Sequence, residues 1–385
     1  MFKIDIVEVK EEDTIILAPK SSVFDKIPPK SPAFYNPAAK LNRDVSLRIY
    51  SAYARLTCSN ITFGDALAGV GARGLRVAKE CKGVAQVYLN DLNPKAIELA
   101  RYAAELNGVS EKCVFTTKDA ILFLAEHSQP AGRFDILDID PFGSPTPFLA
   151  AALRAVKRGG LISLTATDTA VLCGVYPKVA LRRYGGLSIR CEYGNEVGVR
   201  LLFGAASKLA MSMDAGIIPV FAQASRHYIR VYFTLEKRAS KAEENLTNIG
   251  YLNHCIECGY REVGASLLNT CPKCKAKMLN AGPLWIGEIN SKSILENAVN
   301  LNSDTTSAVG KIVSLALGEC GLPPTYYIVD KIADRLDVLT PRTEEVITRL
   351  KTMGFRAART IFNPKGIRTD ASKEDVEAAV LGLKK

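Results

Sequence analysis

The chain has 385 residues, enough for two or three domains and for a core that needs no cross-links. Its composition, 48% hydrophobic, 23% charged and 8% aromatic, excludes wholesale disorder, collagen-like repeats and coiled coil. Lys and Arg number 50 against 40 Asp and Glu, a formal net charge of +10, which favours a polyanionic partner such as nucleic acid or an acidic membrane surface.

In chain order, residues 1–30 alternate apolar and polar positions, first in Lys3-Ile4-Asp5-Ile6-Val7-Glu8-Val9 and then in Thr14-Ile15-Ile16-Leu17-Ala18. This predicts two short strands forming a hairpin. The start has no apolar core with a small-residue cleavage site, so no signal peptide is expected. Pro28, Pro29, Pro32 and Pro37 predict an extended, irregular segment over 19–37. Val45, Leu47, Ile49 and Tyr53 have helical spacing and predict a helix over Asn42–Leu56.

From Ile61 strands and helices alternate. Strands are expected at 61–63, 86–91, 113–115, 134–140 and 160–167, and helices at 74–80, 94–107, 120–126 and 148–156. This order demands a mostly parallel sheet with helices on both faces, and ligands then bind outside the carboxyl ends of the strands. Runs at 217–222 and 228–235 predict an antiparallel closing pair. The fold expected is a Rossmann-like α/β domain followed by a smaller α+β domain. The charged stretch 236–248 sets the boundary, giving domains at 1–240 and 241–385. Charged residues or glycine interrupt the most apolar stretches well before ~20 residues, so no membrane span is expected.

Gly69-Val70-Gly71-Ala72-Arg73-Gly74 matches G-x-G-x-x-G between a strand and a helix, with glycines that permit a tight turn and close approach of backbone to a ligand. Asp91 ends the next strand about twenty residues on, where a carboxylate can accept hydrogen bonds from a ribose diol. Asp119-Ala120 follows the third strand, where an adenine amino group would lie. An adenosine-containing cofactor fits, and the loop alone does not separate NAD from S-adenosylmethionine. None of His127, His227 and His254 lies at a strand end of this sheet, so nothing resembles a hydride-transfer site.

Asp138-Ile139-Asp140-Pro141-Phe142-Gly143 ends the fourth strand. An exocyclic amine on a nucleobase is a poor nucleophile, because its lone pair is delocalised into the ring. A carboxylate that holds the N–H group and takes its proton remedies this, and an aromatic face supports the base. Asp140 and Phe142 follow this logic, which is that of the Asp/Asn-Pro-Pro-Tyr/Phe motifs of amino methyltransferases. The plainer alternative for Asp140 is a helix N-cap.

Cys255-x2-Cys258 and Cys271-x2-Cys274 are separated by 12 residues. Two such turns place four thiolates about 2.3 Å from a tetrahedral Zn²⁺. A closed four-sulfur site has no open position for water, so its role should be structural; four-thiolate iron is the rival metal. The other six cysteines, Cys58, Cys81, Cys113, Cys173, Cys191 and Cys320, are scattered singly, which suits a reducing compartment. A cytoplasmic protein is expected.

Arg349, Lys351, Arg356, Arg359, Lys365 and Arg368 have no acid among them, and Phe355 and Phe362 interleave. Helices expected at 326–336 and 342–353 precede a hairpin, which suggests a winged-helix-like unit with a basic edge for phosphates. A second basic run holds Lys178, Arg182, Arg183 and Arg190. Both runs have the alternative of a solvated basic face.

Taken together, these motifs resemble the tRNA guanine-N2 dimethyltransferase family. The matching stretches are Phe34-Tyr35-Asn36-Pro37, Asn42-Arg43-Asp44, Asp65-Ala66-Leu67-Ala68-Gly69 through Gly74, 138–145, 165–169, the two cysteine pairs and Gly282-Pro283-Leu284-Trp285. The resemblance implies S-adenosylmethionine as cofactor, tRNA as partner and guanine 26 as target, with no protein partner implied. It places Arg43 and Arg73 at the cofactor near its carboxylate, Asp91 at the ribose, and Asp119 and Ala120 at the adenine. It makes Asp140 the acceptor of the guanine amine, and Phe34 and Phe142 the rings that sandwich the base. Arg43 as a salt-bridge residue and Phe34 as a core aromatic are the competing readings. The competing functions are an amine methyltransferase of DNA or protein, an inactive RNA-binding protein, and a dehydrogenase.

Overall fold

The computed structural model describes residues 5–25, 27, 32–57, 60–301 and 304–383. Lys3, Ile4, Pro28, Pro29 and Cys58, to which expectations from the sequence attach, lie outside the described residues. The chain forms two compact units: Met1–Thr165 with Tyr232–Leu235 and Ser293–Val313, and Ala166–Val231 with Glu236–Lys292 and Ser314–Lys385. Neither unit is one continuous stretch of chain: residues 166–231 group with the C-terminal part, and residues 232–235 and 293–313 with the first unit.

In the first unit, β1 (Ile6–Glu11) and β2 (Thr14–Pro19) form the expected antiparallel hairpin, which leads to a short helix α1 (Lys20–Phe24). The long helix α2 (Lys40–Thr57) follows. The alternating region gives β3 (Ile61–Asp65), α3 (Ala72–Glu80), β4 (Val84–Asn90), α4 (Pro94–Leu106), β5 (Cys113–Thr116), α5 (Ala120–Glu126), β6 (Phe134–Ile139), α6 (Thr146–Ala155) and β7 (Val156–Ala166). Local chemistry starts these helices. Asn93 caps α4 through a bond from the Lys95 amide, with Pro94 in the first turn, and Asp119 caps α5. The strands lie in the order β5-β4-β3-β6-β7 and pair in parallel. Both faces are covered, so central positions such as Phe63, Val87, Leu89, Ile136 and Leu137 are fully buried, as a parallel sheet requires.

The second unit contains α7 (Thr169–Leu172), α8 (Pro177–Tyr184) and α9 (Gly194–Met211), then β8 (Gly216–Ala224) and the start of β9 (Ile229–Glu236), of which residues 232–235 belong to the first unit. Next come α10 (Ala239–Leu246) and a three-stranded ribbon of β10 (Ile249–His254), β11 (Arg261–Gly264) and β12 (Leu279–Trp285), in the order β11-β10-β12. Two helices, α11 (Lys292–Asn300) and α12 (Ala308–Glu319), carry the chain through the first unit and back to the C-terminal part of the second. There β13 (Tyr327–Ile328), α13 (Val329–Arg335), α14 (Thr343–Thr352), β14 (Ala357–Thr360) and β15 (Asn363–Thr369) give the expected two helices and hairpin, closed by α15 (Lys373–Leu381). Val329, Ile332, Val346, Leu350, Ile367 and Val376 form its core. Sequence periodicity does not reveal α9, because 13 of its 18 residues are buried and no polar face remains to set a period. Its glycines allow close packing: a Cβ on Gly204 would stand 3.0 Å from the backbone of Leu284. Among the described residues no helix is long and apolar enough to cross a membrane.

Candidate active site and metal centre

The carboxyl ends of β3, β4, β5 and β6 gather the predicted site residues of the first unit. After β3 the chain turns through Gly69 (φ 55°) and Gly71 (φ 79°), conformations that favour glycine. A Cβ on Gly69 would lie 3.2 Å from the Phe34 carbonyl oxygen, and one on Gly71 would lie 2.9 Å from Ala100 Cβ. Asp91 reaches back to this loop. Its Oδ2 accepts the Gly69 amide at 2.8 Å and its Oδ1 accepts the Asn93 amide at 2.9 Å. Asp119 is exposed at the start of α5, with its Oδ1 accepting the amides of Ile121 and Leu122, and Ala120 is buried behind it. Asn90 ties these strand ends together, donating to the carbonyls of Ala66 and Lys118 while accepting from Thr116 and the Lys118 amide.

Arg73, in the first turn of α3, is the electrostatic centre. Its Nη2 donates to Asp140 Oδ2 at 2.6 Å and to Asn42 Oδ1 at 3.0 Å, its Nη1 donates to Ser46 Oγ at 2.6 Å, and its Nε lies 3.2 Å from Asp138 Oδ2. Asp138 is fully buried and also accepts from Tyr50 and, at 3.1 Å, from Ser163 Oγ. Asp65 lies in the same cluster. Its burial, then the charge of Asp138, pushes its carboxyl well above the usual carboxylate range, with Arg73 offsetting part of this. Asp140 differs from its neighbours. Its side chain is 32% exposed, Arg73 holds Oδ2, and Oδ1 carries no hydrogen bond from the described residues.

Phe142, 55% exposed, meets Phe34 edge-to-face at 4.8 Å between ring centroids. The two predicted rings are thus together but closed on each other. A base stacked between them needs roughly 7 Å, two contact distances of about 3.5 Å, so the rings must part to admit it.

Arg43 and Arg73, expected at the cofactor, both carry protein partners. Arg43 is buried, holds Glu11 with two nitrogens, donates to the Asn36 carbonyl at 3.1 Å and lies 5.2 Å over the Tyr35 ring. Tyr35 donates to the same Glu11 at 2.6 Å. Burial alone would raise the Glu11 carboxyl, but the bonds and charges of Arg43, Tyr35 and Arg76 hold it below its usual value. Arg43 therefore pins the segment that carries Phe34.

Sequence reasoning gave no role to Asn42 and Asp138, although both stand in its motifs, and missed Ser46, Tyr50 and Ser163. A signal existed: positions 42, 46 and 50 recur every four residues on one face of α2, and Asp140, just past the end of β6, is two residues on from Asp138.

S-adenosylmethionine fits this edge. The glycine turns open it, half-buried Asp91 and exposed Asp119 stand at the ends of β4 and β5, and Asp138, Asp140 and Asp91 outnumber Arg73 there among the described residues, which suits a sulfonium cation.

In the second unit, Cys255 and Cys274 place their sulfurs 3.4 Å apart and Cys258 and Cys271 theirs 3.6 Å apart, with all four within 4.8 Å of one another. A tetrahedron with bonds of about 2.3 Å has edges of about 3.8 Å, so the donor set fits zinc. Both pairs make the same turn. Gly259 N donates to the Cys255 carbonyl and Lys275 N to the Cys271 carbonyl, with φ of 75° and 66° at the closing residues.

Most cations of the basic C-terminal run have acid partners, but only Arg368 is buried among them. Arg368 is buried on Glu196, Arg356 pairs with Asp370, Arg359 with Glu344, and Lys365 with Asp330. Arg368 thus leaves the expected phosphate-binding edge, because a strand residue facing the core must be neutralised there. Arg349 and Lys351 remain exposed, as do Lys178, Arg182 and Arg190. Asp168 accepts from Arg183 at 2.8 Å and from Tyr184 at 2.5 Å.

A family model described as N2,N2-dimethylguanosine tRNA methyltransferase matches residues 7–381. A tRNA (guanine(26)-N(2))-dimethyltransferase of Methanothermobacter thermautotrophicus is 36% identical over 386 residues, covering 98% of this chain and 99% of the relative. That of Methanocaldococcus jannaschii is 36% identical over 380 residues, covering 97% and 98%. Among solved structures, Trm1 from Pyrococcus horikoshii with S-adenosyl-L-methionine superposes with a TM-score of 0.85 at 32% identity, covering 98% of this chain and all of that one.

Proposed function

The chain belongs to the N2,N2-dimethylguanosine tRNA methyltransferase family, and we propose on that premise that it methylates the exocyclic N2 of guanine 26 in tRNA, first to N2-methyl- and then to N2,N2-dimethylguanosine. The observation that carries the reading is Asp140, with one oxygen anchored by Arg73, no hydrogen bond on the other among the described residues, and Phe142, whose ring meets Phe34, two residues further on at the sheet's carboxyl edge.

S-adenosylmethionine, when bound, supplies an electrophilic methyl group on its sulfonium. Asp91, Asp119, Ala120 and the Gly69–Gly71 turn would hold it. Asp140 Oδ1 accepts an N2–H of guanine and orients the nitrogen lone pair. When N2 takes the methyl group, the N–H proton passes to Asp140 and from there to solvent, which reaches this side chain. The second methyl uses the remaining N–H in the same way. Phe34 and Phe142 part and stack the base, which must first leave the tRNA helix. Exposed Lys178, Arg182, Arg190, Arg349 and Lys351 are the candidates for phosphate contacts, so binding should weaken steeply with salt. Cys255, Cys258, Cys271 and Cys274 would hold a zinc ion that locks the ribbon and, with four sulfur ligands, would offer no open position for the transfer chemistry. We place this activity in the cytoplasm, where tRNA is the polyanion that the surplus of basic charge suits.

The test is tritium transfer from labelled S-adenosylmethionine to unmodified tRNA transcripts with guanine or adenine at position 26, followed by nucleoside digestion. Label on the guanine transcript alone, recovered as N2-methyl- and N2,N2-dimethylguanosine, is expected. Label that survives the replacement would remove the position, and no label on any tRNA would sink the reading.

A further inference from the structure

Arg73 does not approach Asp140 by chance of rotamer. Its guanidinium is fixed by four side chains from three places in the chain: Asn42 and Ser46 of α2, Asp138 of β6, and Asp140 just beyond it. Asp138 is the buried end of this arrangement and has its own supports. Ser163, its register partner on β7, and Tyr50 both reach the same Asp138 oxygen, Ser163 Oγ at 3.1 Å, and their two hydroxyls lie 2.6 Å apart, so with one proton each they donate two of these three bonds at a time. Ser46, which accepts from Arg73, is bonded at 2.8 Å to Tyr232 and donates to the Asn42 carbonyl at 2.7 Å. A buried acid of this kind is costly without a cation, and Arg73 is the cation that meets it.

The consequence falls on Asp140. A carboxylate on a short side chain can present either oxygen to a substrate, and only one orientation places an acceptor on the amine. Because Arg73 is held from behind, it grips Oδ2 and leaves Oδ1 open. We propose that Asp138, supported by Tyr50 and Ser163, is a positioning residue that acts through Arg73 to turn Asp140 Oδ1 toward the guanine amine. The inference rests on the reading of Asp140 as the amine acceptor. It assigns Arg73 to the acceptor rather than to the cofactor's carboxylate, and it gives Ser46 and Tyr50 of α2 a part in the chemistry that the sequence motifs do not mark.

The test uses the full-length protein with zinc. Asp138→Asn keeps shape and an acceptor for Tyr50 and Ser163 but removes the charge that anchors Arg73. Displacement of a reacting group by about 1 Å can cost about 100-fold, so kcat should fall by about 30- to 100-fold. The KM for tRNA and the calorimetric Kd for S-adenosylmethionine should stay within about threefold, because the change touches the step and not the binding. Tyr50→Phe removes one donor and should lower kcat by about 3- to 10-fold at unchanged KM; this variant decides the matter if Asp138→Asn does not fold. Arg73→Lys should resemble Asp138→Asn, since one ammonium cannot span both acids in the plane of a guanidinium.

In the cycle of Asp138→Asn with Arg73→Lys, the double variant should be no slower than the worse single one. The inference is overturned if both Asp138→Asn and Tyr50→Phe keep wild-type kcat, or if Arg73→Lys weakens S-adenosylmethionine binding while leaving kcat intact. Asp140→Asn separates the layers. Full activity there removes the underlying reading, whereas loss there with normal kcat in the other variants removes this inference alone.

Discussion

Each unit contains an arginine set between two carboxylates, and the two arrangements differ in what they leave exposed. In the first unit Arg73 lies between Asp138 and Asp140, and one of those acids opens to solvent with an oxygen unengaged. In the second, Arg368 lies between Glu196 and Glu319, all three almost fully buried. It donates to both oxygens of Glu196, at 2.9 and 2.8 Å, with Glu319 Oε2 3.8 Å away. Arg200, four residues on from Glu196, adds a second cation at 2.8 Å. Burial alone would raise the Glu196 carboxyl, but the charges of Arg368 and Arg200 hold it down to about 2. The lesson is that an arginine–carboxylate group becomes a reaction site through what it leaves unpaired and accessible. Where every charge is answered inside the protein, it is scaffold.

The sharpest separation is between activity and stability. Asp140→Asn should lower methyl transfer by about a thousandfold, within the range for loss of a positioned general base, with a melting temperature within a few degrees of wild type. Arg368→Met should do the reverse. It leaves Glu196 and Glu319 short of a buried cation and should cost about 3–5 kcal/mol in chemical denaturation, while protein that remains folded keeps its kcat. If the two variants exchanged these phenotypes, the comparison would collapse.

Phe34→Ala should raise the KM for tRNA by roughly tenfold, in line with about 1–3 kcal/mol for a base stacked on a ring, without moving the unfolding midpoint; an unchanged KM would return Phe34 to the core aromatics. The smallest effect concerns pH. Burial pushes Glu319 up to about 7, with Arg368 offsetting part of that rise. A carboxyl whose folded value exceeds its unfolded value binds more protons when folded. Its contribution to stability is therefore lost as pH rises from about 4.5 through about 7. Glu319→Gln should accordingly match wild type near pH 4.5 and gain on it toward pH 8, read from denaturation midpoints. A difference that does not vary with pH would mean that Glu319 stays ionised beside Arg368.

Much of the site is legible in the amino-acid sequence. Asp140, Phe142, Asp91, Asp119 and the glycine turn are short-range features of strand ends, and their positions follow from strand–turn–helix order alone. The cysteine pairs are legible for the same reason, since each is one local turn. The partners of Arg43 and Arg73 are not, because they lie on elements distant in sequence. Arg43 meets Glu11, 32 residues away, and Arg73 meets Asp140, 67 residues away. The basic run at 349–368 misleads for a related reason: a sequence shows which residues are cations, not which of them a core acid has already claimed.

The sequence by itself determined the alternation of strands and helices, the parallel sheet that alternation requires, the loop that can approach a ligand and the four thiolates. These depend on local periodicity and on residues within a turn of one another. Only the tertiary structure decided that Asn42, Ser46 and Tyr50 face the acids of β6, that Arg368 lies inside, and that Asp140 keeps one oxygen free. Those outcomes depend on which side chains meet when helices pack on a sheet. Burial then makes each meeting decisive, because a charge removed from water must find its partner among the residues that the fold happens to bring there.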